Sequence, residues 1–148
     1  MLISFYRVFA VSILGFAFIA LTGCGEEAAP NLSAAVAHVK AQAGEITLVD
    51  IREPSEWRQT GVAQNASTIS MSHPQGMPGF AQAVHLAAGE DFAAPVVLIC
   101  RTGSRSGRLV SHLKEMGFEN VSHVPEGMLG SDAGPGWVAR GLPIKTVP

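Results

Sequence analysis

The chain has 148 residues, 47% of them hydrophobic and 15% charged. Ten Lys and Arg stand against twelve Asp and Glu, a formal net charge of −2. No basic stripe is visible outside one short loop, which argues against nucleic acid as a partner. No repeat or heptad pattern is present, and no His or Cys cluster has zinc spacing, so neither a metal nor another cofactor is expected.

In chain order, residues 1–23 read as a segment outside the fold. Arg7 is its only charged side chain, and Val8 to Leu21 carries no charge. That apolar block is about 14 residues, shorter than the ~20 needed to cross a bilayer. It ends at Leu21-Thr22-Gly23-Cys24. The pattern resembles a bacterial secretory signal ending in a lipobox, with Cys24 acylated and becoming the mature N-terminus. The expected location is the periplasmic side of a bacterial membrane, with a lipid membrane as partner through Cys24. Gly25 in place of Asp favours the outer membrane over the inner by analogy with Gram-negative sorting. The alternatives are ordinary cleavage or an uncleaved anchor helix over residues 1–23. Residues 24–31 form a tether, and residues 32–148 one domain of ordinary size. With Cys24 blocked, Cys100 is the single thiol, and no intramolecular disulfide can form.

Within the domain, Leu32 to Gln42 fits a helix whose apolar stripe is Leu32, Val36 and Val39, capped by Asn31 or Ser33 and ended by Gly44. Ile46 to Ile51 reads as a strand. Pro54 sits where the next helix starts, with Trp57 packing down from it. Ala66 to Ser70 reads as a short strand and Ser72 to Pro78 as a loop. Gly79 to Ala88 reads as a helix with Phe80, Val84 and Leu86 toward the core. Pro95 to Ile99 is near-continuously apolar, as suits a central parallel strand buried on both faces. Ser104 to Met116 carries the stripe Leu109, Val110, Leu113 and Met116 of a core-facing helix. Val121 to Val124 is a further strand, Glu126 to Gly136 a Gly-rich connection, and Trp137 to Arg140 a terminal helical turn. Alternating strands and helices predict an α/β fold with a central parallel sheet flanked by helices on both faces. Ligands of such sheets bind at the carboxyl ends of the strands. Asp50, Arg52 and Cys100 all lie at such ends.

The segment Cys100-Arg101-Thr102-Gly103-Ser104-Arg105-Ser106 follows the strongest strand and precedes a helix. This order puts a thiol at a helix N-terminus, under backbone N–H groups that curl into an anion-binding nest. The loop amides, the helix dipole and two guanidinium groups favour the thiolate, the nucleophilic form. The chemistry indicated is that of a cysteine acting on an anionic or sulfur-rich substrate. The alternative is an inert cysteine ending a core strand.

With four residues between Cys100 and Arg105, the loop resembles the active-site loop of the rhodanese (thiosulfate sulfurtransferase) family. Related phosphatases have five, and here the next residue is Ser106, not Arg, which disfavours a phosphatase or arsenate reductase. Leu48-Val49-Asp50-Ile51-Arg52-Glu53 resembles that family's first signature. Glu126-Gly127-Met128 with Trp137 and Gly141-Leu142-Pro143 resembles its C-terminal one. Gly61-Val62-Ala63 and Asn65-Ala66 depart from the pattern, lacking its usual histidine, and the Gly127–Gly136 stretch is longer than usual. It could form a rim over the site.

The resemblance implies a single-domain rhodanese-like fold and a sulfurtransferase working through a Cys100 persulfide. The donor would be thiosulfate or a similar small anion, and the acceptor a thiol or cyanide. A non-enzymatic persulfide carrier or docking module is the alternative. Backbone amides of Arg101 to Ser106 would hold the persulfide anion. Arg101 either attracts the donor or is a solvated loop charge. Arg105 braces the loop, with Asp50 as its expected carboxylate partner. Arg108 either widens a positive mouth or is an ordinary exposed charge. Thr102 and Ser104 cap the helix or touch the sulfur. His73, His85, His112 and His123 have no spacing that implies a base. A monomer is expected.

Overall fold

The computed structural model describes residues 29–148. The expected signal segment, Cys24 and most of the tether lie outside the described residues.

Among the described residues, six short strands and five helices follow one another. Four strands build the central sheet: β1 (Thr47–Asp50), β3 (Ser67–Thr68), β4 (Val96–Ile99) and β5 (Val121–His123). Their order is β3-β1-β4-β5, and every pairing is parallel. Parallel pairing requires crossovers, which three of the five helices, the second to the fourth, supply. The helices are α1 (Ala34–Gln42), α2 (Pro54–Thr60), α3 (Gly76–Ala87), α4 (Ser104–Glu115) and α5 (Gly136–Ala139).

The apolar run of β4 is buried along its whole length. Its side chains alternate between two cores, as strand geometry requires. Val96, Leu98 and Cys100 join Val49, Ile51, Phe80, Val84, Leu109 and Leu113 on the face covered by α3 and α4. Val97 and Ile99 join Leu48, Ala34, Ala37, Met128 and Trp137 on the face covered by α1 and α5. Truncating Leu98, which is fully buried, to Ala would cost about 2–5 kcal/mol.

Several local expectations change. In α1 the buried residues are Ala34 and Ala37, whereas Val36 and Val39 are 43% and 63% exposed. The reason is volume. The completely buried Trp137 fills the space beneath α1, with His38 edge-on to it at 5.6 Å. Only small side chains let the helix settle there. Leu86 and Met116, expected in the core, are 56% and 38% exposed. Helix α3 begins at Gly76, inside the expected loop. The two-residue strands β2 (Val62–Ala63) and β6 (Ile144–Lys145), which pair antiparallel, carry no sequence signal of their own. No described helix is long and apolar enough to cross a membrane.

Candidate active site

The site forms where β1 and β4 end side by side. Asp50 lies opposite Ile99 in the sheet register, and the Ile51 amide donates to the Ile99 carbonyl. Cys100 is therefore one residue past the sheet, and it is 1% exposed. The chain then turns through Gly103, which sits at φ +84°, and α4 begins at Ser104. A side chain at Gly103 would both strain this left-handed backbone and collide with the Pro125 carbonyl. The tight turn brings the α4 amides over the sulfur.

The Ser106 backbone N–H and hydroxyl each lie 3.4 Å from Cys100 Sγ. Burial is the largest single influence on this thiol and pushes its pKa up. Hydrogen bonds from the Ser106 hydroxyl and from the amides of Ser106, Thr102 and Arg105 outweigh it, so the pKa falls below the ordinary thiol value. The electrostatic expectation for the loop holds in direction. Its chief sources are loop hydrogen bonds.

Arg105 braces the loop, but not through Asp50. Its guanidinium grips Glu56 bidentately, Nη1 to Oε2 at 2.8 Å and Nη2 to Oε1 at 2.6 Å. Glu56 Oε2 also accepts the Glu53 amide at 3.0 Å. The Glu56 carboxyl is held below the usual range chiefly by the Arg105 hydrogen bonds. Arg105 is raised correspondingly.

Asp50 is committed elsewhere. Its carboxylate accepts from Arg52 Nε at 2.9 Å, Arg52 Nη2 at 2.6 Å and Trp57 Nε1 at 3.1 Å. Arg52 then reaches Thr60 Oγ1 and the Gly61 carbonyl, each at 2.7 Å. Both residues are buried. The pair ties the middle and C-terminal end of α2 to β1, and α2 carries Glu56. Asp50 and Arg52 thus act on the loop at one remove.

Arg101, Thr102 and Ser104 are exposed. Arg101 lines a small polar cleft with Arg52, Glu56, Gln59, Thr60 and Leu129. Leu129 comes from the Gly-rich connection, whose amides at Met128 and Leu129 donate to the carbonyls of Cys100 and Arg101. The connection does lie against the loop. Its anchor is Glu126, a buried carboxylate that accepts from the amides of Ala34 and Gly136 and from Arg140 Nε, at 2.7, 2.8 and 2.8 Å. Burial raises the Glu126 pKa, but those donors more than offset it and hold the carboxyl low.

Two partners of the loop were not singled out from sequence. Glu56 is one; its signal was a carboxylate in the first turn after Pro54, on the helix beside the site. The other is His123, whose Nδ1 lies 3.1 Å from Ser106 Oγ. Its signal was topological, since β5 neighbours β4 and ends beside α4.

Comparison with known proteins places the chain. An uncharacterised protein of Rickettsia prowazekii is 26% identical over 98 residues, 65% of this chain and 80% of that protein. The solution structure of the polysulfide-sulfur transferase homodimer of Wolinella succinogenes is 26% identical, with a TM-score of 0.59 and 80% of each chain covered. A Rhodopseudomonas palustris protein of unknown function, described as a possible tyrosine phosphatase, is also 26% identical, with a TM-score of 0.54 over 79% of this chain and 85% of that one. The family described as Rhodanese-like domain matches residues 33–131, from the start of α1 through the whole Cys100–Ser106 loop, and the chain belongs to that family.

Proposed function

We propose that this protein is a sulfurtransferase in which Cys100 carries sulfane sulfur as a persulfide. The observation that carries the reading is the Cys100 sulfur beneath Ser106 donors, in a loop closed by Arg105 on Glu56. The name of the Wolinella protein supports the same class. The four-residue spacing from Cys100 to Arg105 sets it apart from a phosphatase loop.

In the first half-reaction the Cys100 thiolate attacks the outer sulfur of thiosulfate. The sulfur–sulfur bond of the donor breaks, its electron pair leaves with sulfite, and Cys100 holds a terminal sulfur anion. In the second, a thiolate or cyanide attacks that sulfur, forming a new persulfide or thiocyanate and restoring the thiolate. The donors that favour the thiolate also favour the persulfide anion. No general base is needed while the thiolate is populated. The exposed Arg101 draws the anionic donor toward the cleft.

Steady-state thiosulfate:cyanide sulfur transfer tests this. Multiple turnovers are expected from the native protein and only the blank rate from Cys100→Ser. A single stoichiometric sulfur loading without turnover would show a carrier instead, and activity surviving in Cys100→Ser would remove the mechanism.

The anchor is part of the same proposal. Acylation of Cys24 would hold the domain at the periplasmic face of a membrane, each buried acyl CH₂ adding about 0.8 kcal/mol. Cys24→Ala is then expected to lose its lipid and its processing at this site. An efficiently processed, still membrane-bound variant would contradict it.

A further inference from the structure

We propose that His123 is a positioning residue: its Nδ1 orients the Ser106 hydroxyl so that the one hydroxyl proton points at the Cys100 sulfur. The inference rests on Cys100 being the reactive group. Its geometry is a three-membered chain, Cys100 Sγ to Ser106 Oγ at 3.4 Å and Ser106 Oγ to His123 Nδ1 at 3.1 Å.

A serine hydroxyl has one proton and two lone pairs. Around Ser106 Oγ three groups compete: Cys100 Sγ, His123 Nδ1 and the Gly103 carbonyl at 3.0 Å. The Gly103 carbonyl already accepts the Gly107 amide at 2.9 Å. If His123 Nδ1 were bare, it would take the proton as the better acceptor, and the sulfur would lose a donor. With the proton on Nδ1, His123 donates to Ser106, and the Ser106 hydroxyl donates its own hydrogen bond to the sulfur. Donation also polarises the hydroxyl and strengthens the second bond.

The ring is held for this contact. His123 ends β5, its amide donates to Asn31 Oδ1 at 3.4 Å, and its carbonyl accepts the Leu32 amide at 3.1 Å. The ring lies against α4 at Gly107, where an added Cβ would stand 3.2 Å from Cε1 and 3.4 Å from Nε2. Glycine is unfavourable inside a helix, and here it opens the space the imidazole occupies. Among the described residues His123 forms no ion pair. Burial alone lowers its pKa, which favours a neutral ring. The charge of the Cys100 thiolate is also felt by the Arg105 guanidinium.

The test is the pH dependence of Cys100 alkylation by iodoacetamide in the full-length protein, read from the mass of the Cys100 peptide. Ser106→Ala and His123→Phe are each expected to raise the apparent thiol pKa by roughly one unit, the scale of a hydrogen bond to a charged group. The double variant should match Ser106→Ala, because the histidine acts only through the serine. His123→Asn, whose amide nitrogen reaches the Nδ1 position, should titrate near the native value, and His123→Gln, whose amide reaches the Nε2 position, near His123→Phe. An unshifted His123→Phe, additive shifts in the double variant, or Gln rescuing as well as Asn would each overturn the assignment. If His123→Phe fails to fold, the Asn and Gln pair still decides. The readout is alkylation, so a protein that transfers no sulfur tests it equally.

Discussion

Two arginine–carboxylate pairs stand near the strand ends, and they differ in what surrounds them. Asp50 and Arg52 are sealed from solvent, with side chains 0% and 1% exposed, and their remaining hydrogen bonds go to Trp57, Thr60, Gly61 and the Glu56 carbonyl. Glu56 and Arg105 are 18% and 25% exposed and join two elements far apart in sequence, α2 and the first turn of α4 beside the Cys100 loop. Removing one partner of the sealed pair leaves an uncompensated charge in a dry place. Removing one partner of the outer pair leaves a charge that water can reach. The first pair therefore governs whether the sheet and α2 assemble. The second governs where the loop sits once they have.

That contrast sets the sizes of the expected effects. Arg52→Leu leaves the Asp50 carboxylate buried and should destabilise the fold by about 3–5 kcal/mol. Urea denaturation checks this, and a loss under about 1 kcal/mol would erase the distinction between the pairs. Arg105→Lys should lower sulfur transfer by about ten- to a hundred-fold, because a lysine cannot span both Glu56 oxygens and a small misplacement of reacting groups is costly. Its fold should lose only about 1 kcal/mol. Rates and unfolding curves measured on one preparation separate the two, and a proportional fall of both would mean that the outer pair is structural too.

Acid titration sharpens the comparison. The Glu56 and Glu126 carboxyls are held below their ordinary value of 4.5 in the folded chain. A group depressed in the folded state adds stability that is fully present above its unfolded pKa and is lost as pH falls through the folded one. Stability should therefore decline below about pH 4.5, and Glu56→Gln should flatten part of that decline while Glu126→Gln flattens another. Urea midpoints measured across this range check it, and parallel native and Glu56→Gln curves would contradict it. Arg101→Lys should have the smallest effect. Arg101 is exposed and needs only its charge to attract an anion, so KM for thiosulfate should change little. A large loss would show that Arg101 makes a directional contact with the donor.

Much of this was legible in the chain, and the limits were physical. The unbroken apolar run of β4 and the strand–cysteine–loop–helix order fixed the sheet centre and put Cys100 at its edge, because burial on both faces leaves few other readings. The brace on Arg105 was legible as a need for a carboxylate. Its identity was not, since spacing cannot tell which of two nearby acids is already taken, and Asp50 is taken by Arg52. The stripe of α1 misled because Trp137, more than ninety residues away, occupies the space the valines would need. His123 carries no sequence signal for a role because its link to the sulfur runs through Ser106 and across two parallel strands.

The central claim is that Cys100 holds transferred sulfur, and intact-protein mass spectrometry tests it most directly. After incubation with thiosulfate or polysulfide and removal of the donor, the chain should be heavier by one sulfur atom, located on the Cys100 peptide. Cyanide or a thiol acceptor should return it to its starting mass, and Cys100→Ser should never shift. A folded protein whose Cys100 alkylates readily, yet which gains no sulfur from either donor, would contradict the account.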